Sequence, residues 1–383
     1  MQGSPTIKLG RLFGIRIGVS AVWFLVLFVV IWYLDGYFKG VLAGATEAFA
    51  VAVVAALLFF ATVVAHELGH ALVARRLGMQ IDGVDLWALG GFTRTRGAPE
   101  SPGAEFALAA GGPVVNVLVV AICILAGLAF GSFQHFLDAA LLESGVRLGA
   151  PLLLLSWLAL INTVLLGFNL IPALPLDGGR LARAVVWKVT GDADAATRAC
   201  ARLGQLLGFA LIGGGIVLLV QDSAGFGLWC VLIGLFIGQS ARQSLLAATI
   251  GARMRAVTVG EIMDREPVTV PSETTLLDAR ERYLAPSGAP WLAVTDPDGR
   301  YRGMLIAERV EHELRDGRPA LTAAEVSEDY APIRIDTSAT LETALRSDGL
   351  RRLGAMVAVD GDGILRGVVT LPRIRRAMHP SAL

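Results

Sequence analysis

The sequence predicts a helical membrane domain of about six transmembrane helices with a short membrane-associated β-hairpin, followed by a soluble α/β module made of two copies of one unit. Three observations lead there. The 383 residues are 54% hydrophobic with a mean hydropathy of +0.62, too apolar for a chain that is soluble throughout. Up to about residue 247 the apolar residues fall in charge-poor runs, each near the roughly 20 residues that a helix needs to cross a bilayer. From about residue 256 charged and apolar residues mix, turn dipeptides appear, and no span-length apolar run remains.

The spans run approximately Ile17 to Leu34, Ala43 to Arg75, Ser101 to Phe130, Leu148 to Ile171, Gly204 to Val220 and Phe226 to Ala247. The first has no small-residue cleavage site followed by a soluble domain, so it is expected to stay as a span. Between the second and third, Gly83 to Thr95 reads as two short strands around Gly90-Gly91, a hairpin. Basic residues assign the sides: fifteen of them between Lys8 and Arg255 collect on one side, and only Lys39 and Arg147 fall on the other. Short cytoplasmic loops are rich in Lys and Arg, which puts both termini in the cytoplasm, in agreement with an even number of spans. The expected organisation is residues 1–247 as the six-span domain, 248–257 as a linker and 258–383 as the paired unit, with copies near 258–318 and 322–380.

Inside the second span lies His66-Glu67-Leu68-Gly69-His70. Histidines four residues apart stand one above the other on a helix face, so both rings can reach one metal ion. A glutamate beside the first of them is placed to take a proton from the attacking water, which is the division of labour in HExxH metalloproteases. Zinc brings the pKa of water from about 15.7 toward roughly 7, so hydroxide for attack on a peptide carbonyl is available at neutral pH. The string also occurs as a polar helix end, but the apolar flank Val51 to Ala65 makes an uncompensated Glu67 between two imidazoles cost several kcal/mol in hydrocarbon.

A catalytic zinc usually has three protein ligands and an open fourth position. Asp177 is the best candidate for the third ligand. It lies in Phe168-Asn169-Leu170-Ile171-Pro172-Ala173-Leu174-Pro175-Leu176-Asp177-Gly178-Gly179-Arg180, where the prolines interrupt a regular helix and the glycines relax the backbone. An Asp-Gly-Gly-Arg string also makes an ordinary helix-ending turn. Two facts favour the ligand: the topology places Asp177 at the depth of His66 and His70, and the other histidines, His135, His312 and His379, fall in a loop on the opposite side or in the soluble tail.

Lys plus Arg and Asp plus Glu are equal at 33, so net charge steers the chain toward no nucleic acid. Cys123, Cys200 and Cys230 have neither disulfide nor metal spacing and read as small core residues.

With these motifs in view, residues of about 10 to 245 resemble the site-2 protease family of intramembrane zinc metalloproteases. That family pairs HExxH in one membrane helix with an LDG motif in another, here His66 to His70 and Leu176-Asp177-Gly178, and Gly111-Gly112-Pro113-Val114-Val115-Asn116 matches its glycine-proline-asparagine pattern. The resemblance implies one zinc ion per chain, held by His66, His70 and Asp177, with Glu67 as general base. Amides in apolar helices want hydrogen-bond partners, and bonding between helices satisfies them. The resemblance places two of them, Asn116 and Asn169, near the active site, to bind substrate backbone or stabilise the oxyanion. It also implies strands near residues 83–95, and a strand edge beside the zinc could pair with an unwound substrate.

The tail repeats at an offset of 64 residues: Thr258 matches Thr322, Ile262 matches Val326, Asp298-Gly299 matches Asp362-Gly363, and Gly303 matches Gly367. It resembles a tandem pair of CBS domains, a module that often binds adenine nucleotides and forms homodimers. Nucleotide-binding members carry Thr or Ser and, three residues later, an Asp for the ribose. Here those places hold Ile306 and Arg309 in the first copy and Thr370 and Arg373 in the second, which departs from the ribose pattern and leaves two readings open: phosphate contact by the arginines, or a dimerisation or docking module without ligand.

Together these features lead to an intramembrane zinc endopeptidase that cleaves a transmembrane segment of a membrane-tethered regulatory protein, with a single-span membrane protein as partner. The location is a plasma membrane, and the usage of Arg, Ala and Val over Lys points to a bacterium. The competing class is a CBS-regulated membrane transporter or zinc-handling protein, because intramembrane His and Asp also mark ion pathways.

Overall fold

A computed structural model describes residues 6–87, 90–130, 132–141, 149–221, 224–328 and 333–378, and every structural statement below concerns these residues. The chain divides into two compact units, Met1–Leu246 and Ala247–Leu383.

The first unit opens with β1 (Thr6–Leu12) and β2 (Ile15–Ser20), then α1 (Ala21–Lys39), α2 (Ala45–Arg76), β3 (Gln80–Trp87) and β4 (Gly90–Arg96). It continues with α3 (Pro102–Gly127), α4 (Phe133–Leu141), α5 (Ala150–Asn169), α6 (Asp177–Thr190), α7 (Ala193–Val220) and α8 (Ala224–Ala256). Six of these, α1, α2, α3, α5, α7 and α8, are long and apolar enough to cross a membrane. Large apolar side chains point outward from them, Phe28 at 69% and Trp32 and Leu125 at 70% exposure. Such a surface is stable against lipid and not against water.

Three boundaries differ from the hydropathy reading, each for a physical reason. Ile17 to Ser20 belong to β2 and not to the first span, because their backbone groups are taken by a sheet: Ile17 faces Val84 of β3 and Val19 faces Ile7 of β1. The fifth span starts at Ala193 and not near Gly204, because Asp192 caps the helix, accepting from the amides of Asp194 and Ala195 at 2.8 and 2.9 Å. Residues 248–256, expected as a linker, are the last turns of α8, and Arg253 and Arg255 suit its C-terminal end.

The expected hairpin is half of a four-stranded sheet ordered β1-β2-β3-β4. Its turn residues, 88 and 89, lie outside the described residues. Buried Asp85 on β3 binds Arg16 of β2 at 3.1 Å and Arg94 of β4 at 2.7 Å, which locks three strands in register. The strand order leaves β4 at the edge. Beside the sheet, α2 and α3 meet backbone to backbone: a Cβ on Gly69 would lie 2.3 Å from the carbonyl oxygen of Gly111. No larger residue fits there, and the contact brings α3 against the two α2 histidines.

The second unit carries β5 (Thr269–Pro271), β6 (Trp291–Thr295) and β7 (Tyr301–Ile306) in one sheet, and β8 (Arg334–Asp336), β9 (Ala355–Val359) and β10 (Leu365–Thr370) in another. The strands β6 and β9, and β7 and β10, keep the offset of 64 residues read from the sequence. Each copy opens with a capping box, Thr258 with Glu261 and Thr322 with Glu325. The copies also exchange backbone hydrogen bonds. Asp264 donates to the Val368 carbonyl at 2.7 Å and accepts from its amide at 2.9 Å, while Glu328 and Met304 do the same at 3.1 and 3.0 Å. Arg300 bridges Ile364, its own counterpart, so a pseudo-twofold axis passes between them.

Candidate active site

His66 and His70 lie on α2, nine residues and fewer from Arg75, so at 1.5 Å per residue His66 is about 14 Å along the axis from the charged helix end. Asp177 is the first residue of α6. The seven residues before it form an irregular segment, which the Leu174 amide ties to the carbonyl of Cys200 on α7 at 3.1 Å. The segment is thereby held in place, and α6 starts with its first carboxylate aimed at α2.

Asp177 Oδ2 lies 3.1 Å from His66 Nε2 and 3.2 Å from His70 Nε2, and the two Nε2 atoms are 3.2 Å apart. The opposite ring nitrogens are already engaged: His66 Nδ1 donates to Asn116 Oδ1 at 2.6 Å and His70 Nδ1 donates to the Leu108 carbonyl at 2.7 Å. With the protons on Nδ1, both Nε2 atoms carry lone pairs. Three acceptors then face one another across little more than 3 Å, with no proton between them. They repel unless a cation sits among them. A tetrahedral zinc with ligands at about 2.0–2.1 Å requires ligand atoms about 3.3 Å apart, so the triangle has the size for zinc. His66, His70 and Asp177 are the one such cluster among the described residues.

The two candidate asparagines take different places. Asn169, the last residue of α5, lines the cavity in front of the triangle. Asn116 is 1% exposed and sits behind the triangle with its amide oxygen on His66. It orients His66 and fixes its tautomer, as carboxylates and carbonyls do for histidines in zinc sites.

The cavity has a volume of about 490 Å³, and Trp23, Phe60, Leu86, Phe92 and Trp229 form much of its wall beside Glu67, His66 and Asp177. Glu67 is held by a residue that motif reading does not single out. Thr93 Oγ1 on β4 lies 3.0 Å from Glu67 Oε2 and 3.1 Å from the Glu67 carbonyl oxygen. The edge strand therefore positions the carboxylate of the HExxH motif. Thr93→Val removes that donor and keeps the shape of the side chain. It should lower kcat about 10-fold, the worth of one such hydrogen bond, with zinc content unchanged. Steady-state kinetics beside metal analysis checks this, and wild-type turnover in the variant would remove Thr93 from the site.

Comparisons with known proteins point to a family. The family model described as Peptidase family M50 matches residues 54–212, and a CBS domain model matches residues 259–314. "Putative zinc metalloprotease Rip3" of Mycobacterium tuberculosis is 33% identical over 317 residues, 82% of this chain and 76% of that protein. "Putative zinc metalloprotease sll0528" of Synechocystis sp. is 27% identical over 382 residues, 98% of this chain and 96% of that one. A solved structure, "Site-2 Protease from Methanocaldococcus jannaschii", aligns with a TM-score of 0.38 at 26% identity over 63% of this chain and 95% of its own. At 33% identity over 82% of the chain to the first of these relatives, the chain belongs to peptidase family M50: it is a multi-pass membrane zinc metalloprotease with a C-terminal CBS module.

Proposed function

We propose that this protease cuts a peptide bond in or near the transmembrane segment of a single-span, membrane-tethered regulatory protein, the reaction of regulated intramembrane proteolysis. The observation that carries the reading is that Glu67, His66 and Asp177 line an apolar cavity within a bundle of membrane-length helices. A polar, water-soluble peptide must give up the hydration of its polar groups to enter between such walls, whereas an apolar segment arriving from lipid exchanges one apolar surrounding for another.

His66, His70 and Asp177 would hold the single zinc ion, which when bound supplies the Lewis acidity that makes water nucleophilic near neutral pH. Glu67 accepts a proton from the attacking water and returns it to the departing amine nitrogen, so the C–N bond breaks without net proton change. Asn169 is placed on the cavity wall to bind substrate backbone. A helical substrate hides its scissile bond in its own hydrogen bonds, so it must be extended to be cut. The free edge of β4, which carries Gly91 and Phe92 on the cavity wall, offers backbone partners for that extended segment.

In this reading both termini face the cytoplasm of a bacterium and the helices cross its plasma membrane, and the clustered basic residues support that orientation. The test is cleavage of a tagged, membrane-embedded single-span substrate by the purified chain in detergent, with and without a zinc chelator. Cleavage that stops on chelation and resumes with zinc supports the reading. Hydrolysis of soluble peptides alone would overturn the membrane substrate.

For the CBS module we propose an adenine nucleotide as ligand, with Arg309 and Arg373 on its phosphates, and pairing of two chains through the module. Arg373 Nη2 lies 3.2 Å from Asp264 Oδ2, and Arg309 pairs with Glu328, so each arginine is engaged by an acid of the other copy. A phosphate would replace a carboxylate, which makes the affinity fall with salt. Calorimetric titration of the full chain with AMP and ATP tests this. Heat that is lost in Arg309→Ala and Arg373→Ala is expected, and no heat at millimolar nucleotide would leave the module as a docking surface only.

A further inference from the structure

Two of the three proposed ligands are held by groups on one face of α3. Asn116 takes the Nδ1 proton of His66, and the Leu108 carbonyl takes that of His70. A third group on that face is Glu105. It is completely buried, and its Oε1 lies 3.1 Å from Arg180 Nε and 3.1 Å from Arg183 Nη1. Positions 105, 108, 112 and 116 follow at steps of three and four, the spacing of one stripe along a helix. Arg180 and Arg183 both belong to α6, three and six residues after Asp177.

We propose that Glu105 is the positioning residue for Asp177, acting through Arg180 and Arg183, and that α3 thus sets all three ligands from a single face. The inference rests on the reading of His66, His70 and Asp177 as the zinc site. Asp177 begins α6, and a helix start moves with its first two turns. Whatever fixes Arg180 and Arg183 relative to α3 fixes the Asp177 carboxylate relative to the histidines. A carboxylate stripped of water is costly to place among membrane helices unless it is met by charge. A contact that only held α3 to α6 could be apolar. Guanidinium groups instead bind a carboxylate in a defined direction, which gives the contact an orientation as well as a strength. Arg183 also donates to Thr197 of α7 at 2.8 Å, so the second arginine keeps a further anchor.

The experiment replaces zinc by cobalt(II) in the purified full chain, reads its visible absorption bands, and measures cobalt affinity by competition with a chelator. The variants are Glu105→Gln, Arg180→Gln and Asp177→Asn, with Cys123→Ala as a buried control in the same helix. Glu105→Gln and Arg180→Gln should shift the absorption bands and weaken cobalt binding about 10- to 100-fold, the cost of losing a group that orients a ligand. Cys123→Ala should change neither. Wild-type bands and an affinity within about twofold in folded Glu105→Gln, while Asp177→Asn loses both, would overturn the role of Glu105 alone. Wild-type bands in Asp177→Asn would overturn the site reading and the inference with it. If Glu105→Gln does not fold, Arg180→Gln, whose side chain is partly exposed, decides by the same criteria.

Discussion

Glu67→Gln should abolish cleavage while one zinc ion per chain stays bound. Glutamine keeps the length and shape of the side chain and can still accept from Thr93 Oγ1, which lies 3.0 Å from Glu67 Oε2. The three proposed ligand atoms are on other residues, so nothing in the metal triangle changes. What disappears is a group able to take a proton from water and pass it to the leaving nitrogen. General acid–base catalysis contributes about 10²- to 10⁴-fold, and kcat should fall by that amount. The measurement is cleavage of the membrane-embedded substrate beside metal analysis of both forms. Substantial cleavage by zinc-loaded Glu67→Gln would move the base to another residue. Loss of zinc in the variant would mean that Glu67 is itself part of the metal site.

Gly112→Ala should remove the metal site by a single methyl group. An ideal Cβ at this position would lie 2.4 Å from both His66 Nε2 and His70 Nε2 and 2.6 Å from His66 Cε1. These contacts are far inside van der Waals distance, and both rings must turn away. Turning breaks the Nδ1 bonds to Asn116 and Leu108 and spreads the Nε2 atoms apart. Helix propensity acts in the opposite direction, since alanine is favoured over glycine by about 1 kcal/mol inside a helix. The clash and the two broken buried hydrogen bonds outweigh that gain, so the metal-free protein should melt somewhat lower than the wild type, while zinc affinity drops about 100-fold or more and activity goes with it. Gly103→Ala is the control, because a Cβ there meets nothing within 4 Å. Chelator competition and melting curves with and without zinc separate the two effects. Wild-type zinc affinity in Gly112→Ala would mean that the rings sit elsewhere when the ion is bound.

The membrane helices and the HExxH pair are legible because both are local. A run of about 20 apolar residues has few places to go but a bilayer, and two histidines four apart share a helix face whatever surrounds them. Asp177 emerges as a candidate from the depth of two spans, the poor placement of the other histidines and the resemblance carried by Leu176-Asp177-Gly178. The start of α6 at Asp177 was not reachable in this way, because Asp-Gly-Gly-Arg after two prolines reads equally as a turn. Asn116 illustrates a different limit. Its sequence context shows a buried amide in need of a partner, and only the packing of α3 on α2 shows that the partner is His66 Nδ1. Thr93 and Glu105 carry no sequence signal of their own. Their contacts to Glu67 and to Arg180 close over 26 and 75 residues, and no periodicity or motif spacing encodes pairs so far apart.

Composition and local spacing alone were enough for the class of the protein: helices that must leave water, an HExxH string in one of them, an Asp-Gly-Gly-Arg string after two prolines, and a tail repeated at a constant offset. Those features depend on composition and on neighbours within a turn or two of the chain, where secondary structure dictates geometry. Tertiary structure alone decided which groups hold the site in shape. It set α3 against α2 through the contact of Gly69 with Gly111, placed Asn116 behind His66 and not in the cavity, and brought an edge strand onto Glu67. These outcomes depend on how closely backbones approach and on which buried polar groups find each other, and both are properties of the packed chain.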